Sequence, residues 1–110
     1  MCRTVVEYTR FSENAIIPNK STSRSAAIEL YAAENVMIPA NGKAVVSTDV
    51  GIKLPPGTCG VIMSRSGLQV FAGVIGNDHR GAILLIIHNY ICQDFLAAKG
   101  MKIVQLVIQK

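Results

Sequence analysis

A chain of 110 residues, of which 50% are apolar and only 16% charged, suits one small packed domain spanning residues 1–110 and is too apolar for a disordered segment. The formal net charge of +4 is spread along the chain, which argues against a nucleic-acid-binding arm. The longest apolar run, residues 82–87, is far too short to cross a membrane, and the first residues lack the apolar stretch of a secretory signal.

The cysteines indicate the compartment of the protein, and the low aromatic content indicates what its core is made of. Cys2, Cys59 and Cys92 have no metal-ligand spacing, so we expect free thiols in a reducing compartment, the cytoplasm or the nucleus. Aromatic residues make up only 5% of the chain, so the core must be mostly aliphatic. Because so small a domain has much surface for its volume, part of the apolar area is expected to be buried against a partner subunit.

The first half of the chain gives one ambiguous and one clear pattern. Ser25–Asn35 is rich in alanine and has helix propensity, although nothing else supports a helix there. Turns are predicted at residues 39–42 and 55–57, from their Pro, Asn and Gly residues. Between these turns, apolar and polar residues alternate with the period of a half-buried strand; the expected inward positions are Thr48, Val50, Ile52 and Leu54.

The second half continues as short strands. Residues 59–63 form an apolar run after a turn, and residues 73–81 resemble a β-hairpin with a polar tip. Every residue from 82 to 87 is apolar, which predicts a strand covered on both faces. Residues 101–108 predict a last buried strand. Short strands between Pro and Gly turns indicate an all-β sandwich or barrel.

Two strings could carry chemistry. In Ser64–Leu68, a guanidinium, a hydroxyl and a glycine suit a phosphate group, although an isolated Arg-Ser-Gly is more often an ordinary polar turn. In the tip of the 73–81 segment, Asp78, His79 and Arg80 could serve as acid, base or phosphate ligands, or simply as a solvated turn. The sequence contains no spacing typical of a metal site, a P-loop or a nucleophile elbow.

Taken in order, these strings resemble the motifs of the trimeric dUTPase family. Residues 43–57 are similar to the animal enzymes of that family. The resemblance covers nearly the whole chain, and the segments that carry it are residues 24–31, 43–57, 64–68, 73–81 and 99–107. It implies a jelly-roll-like β-barrel or sandwich, assembled as a homotrimer with active sites between subunits. The family hydrolyses dUTP to dUMP and pyrophosphate with Mg²⁺ bound to the triphosphate. The resemblance also implies that the first motif, residues 24–31, is an extended segment, although residues 25–35 have helix propensity.

The resemblance assigns roles to particular residues. Glu29 takes the place of the first motif's catalytic Asp. The phosphate-binding positions are Arg65, Ser66, Gly67 and Gln105, and the nucleoside-binding positions are Gly73, Ile75 and His79.

The sequence departs from the family's pattern where catalysis would occur. The third motif's Asp, which activates the attacking water in the family, is Gly76 here, and Asp78 is a poor substitute because it lies two residues further on. His79 replaces a Tyr, and Met101 and Lys102 replace an Asp and an Arg. The segment between Leu68 and Gly73, which reads the uracil edge, is shorter than in the family. The family's glycine-rich fifth motif is not found before Lys110, so we expect its lid over the nucleotide to be missing.

Three functions remain open at this point. The first is a dUTPase-like protein that has lost most or all catalysis and acts as a trimeric scaffold or through a protein partner. The second is an active dUTP diphosphatase with another carboxylate, such as Asp78, as the base. The third is a module that binds a nucleotide without hydrolysing it.

Overall fold

The computed structural model describes residues 7–17, 27–64, 67–70, 74–76 and 81–109. Within these ranges the chain forms eleven strands and no helix, which confirms the predicted all-β class. Nowhere in them is there a helix of the length and apolarity that spanning a membrane would require. The strands are β1 (Glu7–Arg10), β2 (Ala27–Tyr31), β3 (Val36–Ile38), β4 (Lys43–Ser47), β5 (Val50–Lys53), β6 (Cys59–Ser64), β7 (Leu68–Val70), β8 (Val74–Gly76), β9 (Leu84–Asn89), β10 (Phe95–Ala97) and β11 (Lys102–Gln109).

The described strands form two larger and two smaller antiparallel sheets. One larger sheet has the order β2-β11-β6-β8 and the other β4-β9-β7, while β1 pairs with β5 and β3 with β10. Buried side chains from both larger sheets belong to one apolar cluster, so the two sheets form a sandwich around a common core. The largest fully buried apolar side chains of the described residues are aliphatic, as predicted: Leu30, Ile38, Val46, Val50, Ile83, Leu85, Ile87, Ile103 and Leu106.

The alternating strand and the extended first motif are both confirmed. The four expected inward positions between residues 48 and 54 are buried, each less than 5% exposed. The alanine-rich segment contains strand β2, which pairs with β11, so the pairing overrides the helix propensity of its residues. The physical reason is that Ile28 and Leu30 must enter the core together, which a strand achieves with its period of two.

One prediction for the second half does not hold within a single chain. Strand β9 is covered there on one face only: Leu85 and Ile87 are fully buried, but Leu84 is 61% and Ile86 42% exposed, because only one face of the β4-β9-β7 sheet packs on the core. The hairpin predicted at residues 73–81 lies largely outside the described residues, which include only 74–76 and 81 of that segment. Strand β8 pairs with β6, whereas β9 pairs with β4 and β7, so the chain changes sheets between β8 and β9.

A β-bulge interrupts the pairing of the last strand with β2. Lys102 lies opposite Tyr31, but Val104 lies opposite Leu30, so Ile103 is an extra residue in β11. Ile103 and Val104 are both buried, at 1% and 6% exposure, although neighbouring residues of a regular strand point to opposite faces. The bulge therefore reverses the inward and outward positions of β11 at this point.

Candidate functional site

A groove of about 480 Å³ lies on the four-stranded sheet, around the bulge in β11. The pairing register places Glu29, Gln105 and Met63 in one row across β2, β11 and β6. Lys102 precedes Gln105 by three residues, a spacing that in a regular strand would put the two side chains on opposite faces. Because of the bulge, both lie on the same outer face. The lining residues are Glu29, Met63, Ser64, Lys102, Ile103, Val104 and Gln105.

An ion pair joins the two charged side chains of the described groove lining. Lys102 Nζ lies 2.9 Å from Glu29 Oε2, and the two side chains are 63% and 42% exposed. The hydrogen bond to Glu29, together with that carboxylate's charge, raises the pKa of Lys102 above its ordinary value. Lys102 is therefore a cation at neutral pH, and the groove offers an ammonium, a carboxylate and the amide of Gln105 to a ligand.

The turn that follows β6 is fixed by two contacts. Ser64 Oγ donates a hydrogen bond to the carbonyl oxygen of Leu68 at 2.6 Å, across the turn. The backbone N–H of Tyr90 donates to the carbonyl oxygen of Gly67 at 2.9 Å. Gly67 has a φ of 86°, in the left-handed region, and a Cβ there would lie 2.4 Å from Ile91 Cδ1. The turn therefore requires a glycine for its conformation as well as for any approach to an anion.

The structure brings together part of the predicted site. Glu29 and Gln105 line the groove, and Gly67 lies in the turn that follows the lining residue Ser64. The remaining predicted phosphate and nucleoside positions, together with the substitute base, lie outside the described residues; they are Arg65, Ser66, Gly73, Asp78 and His79.

The third motif's strand lies apart from the groove within one chain. In β8, Ile75 pairs with Gly60 and Gly76 with Cys59. The groove row crosses β6 at Met63, four residues from Cys59, which is about 13 Å along a strand. Position 76 and the groove therefore occupy different parts of the same sheet.

The sequence pattern does not mark Lys102 or Ser64 as site residues. Lys102 departs from the family's fourth motif, and its outward position depends on a bulge that the apolar pattern of β11 does not reveal. Ser64 begins the second motif, and only its distance to the Leu68 carbonyl identifies it as the residue that closes the turn.

The residues present fit a magnesium ion that a phosphate ligand brings with it. Within the described ranges, no three His, Cys, Asp or Glu side chains are grouped as a metal site would require. Glu29 is the carboxylate that lines the described groove. Mg²⁺ is commonly bound through one or two carboxylates together with substrate phosphates and water. Glu29 could meet such an ion directly or through its water, provided that it leaves Lys102.

Solved structures define the class of this fold. The fold is similar to that of a mutant dUTPase from phage phi11 of S. aureus, with a TM-score of 0.84, 25% identity and coverage of 96% of this chain and 90% of that one. That work describes the coordination of a structural Mg(II) ion. A dUTPase of Staphylococcus bacteriophage 80alpha, solved with dUpNHpp, has a TM-score of 0.83 and 25% identity over 96% of this chain and 89% of its own. The described strands thus have the dUTPase-type β-fold.

Sequence comparisons identify the family. The chain is 41% identical over 105 residues to the deoxyuridine 5'-triphosphate nucleotidohydrolase of Debaryomyces hansenii, covering 90% of this chain and 66% of that protein. It is 36% identical to the Saccharomyces cerevisiae protein of the same name, covering 90% and 71%. It is 38% identical to the mitochondrial human one, covering 96% of this chain and 44% of that protein. This chain therefore spans about two thirds of the length of the fungal relatives.

The sequence profile of the dUTPase family matches residues 13–110. The chain belongs to the dUTPase family.

Proposed function

We propose that this chain is a dUTP-binding member of the dUTPase family in which hydrolysis of dUTP is impaired. The observation that carries the proposal is Gly76, which ends strand β8 at the position where the family's third motif has an Asp. A glycine has no side chain to accept a proton from water. A general base contributes about a hundred- to ten-thousand-fold to a rate, so its loss by itself accounts for a severe defect.

The groove supports the binding half of this proposal. Lys102 supplies positive charge and Gln105 an amide to the groove, and Arg65 and Ser66 directly follow the lining residue Ser64 in the sequence. These are the donors that a triphosphate needs. Mg²⁺, when bound with the nucleotide, offsets part of the negative charge of the phosphates. The chain's own side chains orient the phosphates, and Glu29 is placed to accept hydrogen bonds from water around the ion.

Assembly as a homotrimer belongs to the same proposal. Position 76 lies about 13 Å along β6 from the groove row, so within a single chain this position is remote from the groove. A second copy that presents its third motif to this groove would complete the site. Val45, Leu84 and Ile86 lie on adjacent strands with 54%, 61% and 42% exposure, and they supply apolar surface for contact between copies.

An active dUTP diphosphatase is the second candidate. The observation that favours it is the 41% identity to a protein named as a nucleotidohydrolase. In that case another carboxylate must accept the proton, and Asp78 is the candidate nearest to the missing Asp in the sequence.

Pyrophosphate release from dUTP with Mg²⁺, with dCTP and dTTP as controls, tests the proposal. We expect release close to the buffer blank for the wild-type chain and at least a tenfold gain for Gly76→Asp, because Asp restores a proton acceptor. Gly76→Asn is the matched control, since its side chain has nearly the same shape and is not a base. Calorimetry with a non-hydrolysable dUTP analogue checks binding independently of turnover.

Rapid dUTP-selective turnover by the wild-type chain would contradict the proposal. If that turnover is then lost in Asp78→Asn, the active diphosphatase is established with Asp78 as its base. If neither the wild-type chain nor any variant binds the analogue, the groove is not a nucleotide site.

A further inference from the structure

The groove contains a cation that is already paired with an anion of the same chain. Lys102 and Glu29 are 2.9 Å apart, and both side chains are partly exposed. Resting on the proposed function of this groove as a triphosphate site, we infer that Glu29 is a selectivity residue. It competes with phosphate for Lys102 and thereby disfavours polyphosphate that arrives without a divalent cation.

The backbone imposes this competition. The bulge at Ile103 places Lys102 on the outer face, and pairing of β11 with β2 puts Glu29 in the adjacent strand. Glu29 is directly opposite Gln105, while Lys102 is opposite Tyr31, the next outward position along β2. The two residues therefore stay on adjacent strands as long as this register is kept, and a ligand that contacts Lys102 comes within reach of Glu29.

The charges in the groove determine which form of the ligand this competition disfavours. Within the described lining of the groove, Glu29 and Lys102 are the charged side chains, and their charges cancel. A metal-free polyphosphate must displace a carboxylate from Lys102 and then lie beside that carboxylate, with like charges a few ångströms apart. A divalent cation on the phosphates replaces this repulsion by attraction, because Glu29 then faces a positive ion or its water. Glu29 opposes the free anion and favours the metal complex.

Calorimetric titration with inorganic tripolyphosphate at low ionic strength, where screening is weak, tests this inference. The titration is done once in EDTA and once with Mg²⁺. We expect Glu29→Gln to bind metal-free tripolyphosphate at least fivefold more tightly than the wild-type chain. With Mg²⁺ we expect that gain to disappear or reverse. Lys102→Met, which keeps the length of the side chain without the charge, should weaken metal-free binding in both the wild-type and the Glu29→Gln background.

Glu34→Gln is the matched control, because it makes the same change of charge at an exposed residue that does not line the groove. We expect its metal-free affinity to stay within twofold of the wild-type value. Circular dichroism spectra that coincide for all variants show that the fold is intact.

The inference is overturned if Glu29→Gln binds metal-free tripolyphosphate no more tightly than the wild-type chain, which includes no binding by either. It is also overturned if Glu34→Gln shows an equal gain, since net charge would then be the cause. These outcomes are separate from the proposed function, which fails when the dUTP analogue with Mg²⁺ does not bind to the wild-type chain.

Discussion

Leu106 packs so closely on Gly60 that a Cβ atom on Gly60 would lie 2.9 Å from Leu106 Cδ2. The two residues lie on adjacent strands β11 and β6, and Leu106 is fully buried. A side chain on residue 60 would occupy space that the leucine already fills. The absence of a side chain in β6 thus lets the central leucine of β11 fill the core of the four-stranded sheet.

Substitution of Gly60 by Ala is therefore expected to destabilise the protein. The added methyl group forces a fully buried side chain to move, and overpacking of this kind costs about 1–3 kcal/mol. Urea unfolding gives the free energy of unfolding for Gly60→Ala, Leu106→Ala and the double variant. We expect the double variant to lose less than the sum of the single losses, because the shorter residue 106 makes room for the methyl group. Strict additivity would show that the two residues do not compete for space.

Gly67→Ala is expected to destabilise the turn between β6 and β7. The residue has a φ of 86°, and its Cβ would overlap with Ile91, so backbone strain and a clash combine. We expect a loss of about 2 kcal/mol in the free energy of unfolding. Gly57→Ala is the matched control, because its φ is 78° but a Cβ there meets no atom within 4 Å. An equal loss in both variants would mean that strain alone, without the Ile91 contact, sets the cost.

Asn89→Ala is expected to loosen the end of β9. This fully buried amide donates to the carbonyl oxygens of Ile38 and Gln93, at 3.2 and 2.9 Å, and accepts from the N–H of Ile91 at 2.9 Å. Its removal leaves the buried carbonyl oxygen of Ile38 and two partly buried backbone groups without this partner, for a loss of about 3 kcal/mol. Asn35→Ala is the control, since the hydrogen bond that its side chain accepts from the N–H of Lys99 is exposed. A comparable loss in both variants would contradict the role of burial.

Asp49 is expected to make stability sensitive to acid. Hydrogen bonds from Ser12 and Ser47, each 2.5 Å long, lower the pKa of Asp49 below its ordinary value of 3.8, although partial burial opposes them. Because the folded pKa is depressed, the stabilisation is present above the ordinary pKa and is lost as pH falls through the folded pKa. The free energy of unfolding of the wild-type chain relative to Asp49→Asn should therefore decrease as pH falls below about 4. Asn tolerates the φ of 54° at this position, so the comparison isolates the charge.

The same difference should shrink in the double variant Ser12→Ala, Ser47→Ala, because the carboxylate then has an ordinary environment. A difference between the wild-type chain and Asp49→Asn that does not depend on pH would contradict the assignment.

Several features of this protein could be predicted from local pattern and composition. The alternation at Thr48, Val50, Ile52 and Leu54 predicted which side chains are buried. Successive side chains of a strand point to opposite faces of the sheet, whichever strand it pairs with. The ordered motifs predicted the family, and the profile match to residues 13–110 confirms it. The cytoplasmic or nuclear location, the homotrimer and the roles of Arg65 and Asp78 remain predictions.

Other features depend on strand pairing, which local pattern does not encode. The apolar run at residues 82–87 has the same composition whether one face or two are covered, so the exposure of Leu84 and Ile86 follows only from the partners of β9. The pairing of β8 with β6 is likewise a property of the fold that local pattern does not encode.

By itself, the sequence determined an aliphatic all-β domain of the dUTPase family, while the replacement of a catalytic Asp by Gly76 remains a prediction. These properties depend on the identity and order of residues along the chain. The tertiary structure alone decided that Lys102 meets Glu29 in the groove, at 2.9 Å. One extra residue in β11 reverses which side chains face outward, and it is detected only when β11 is aligned with β2.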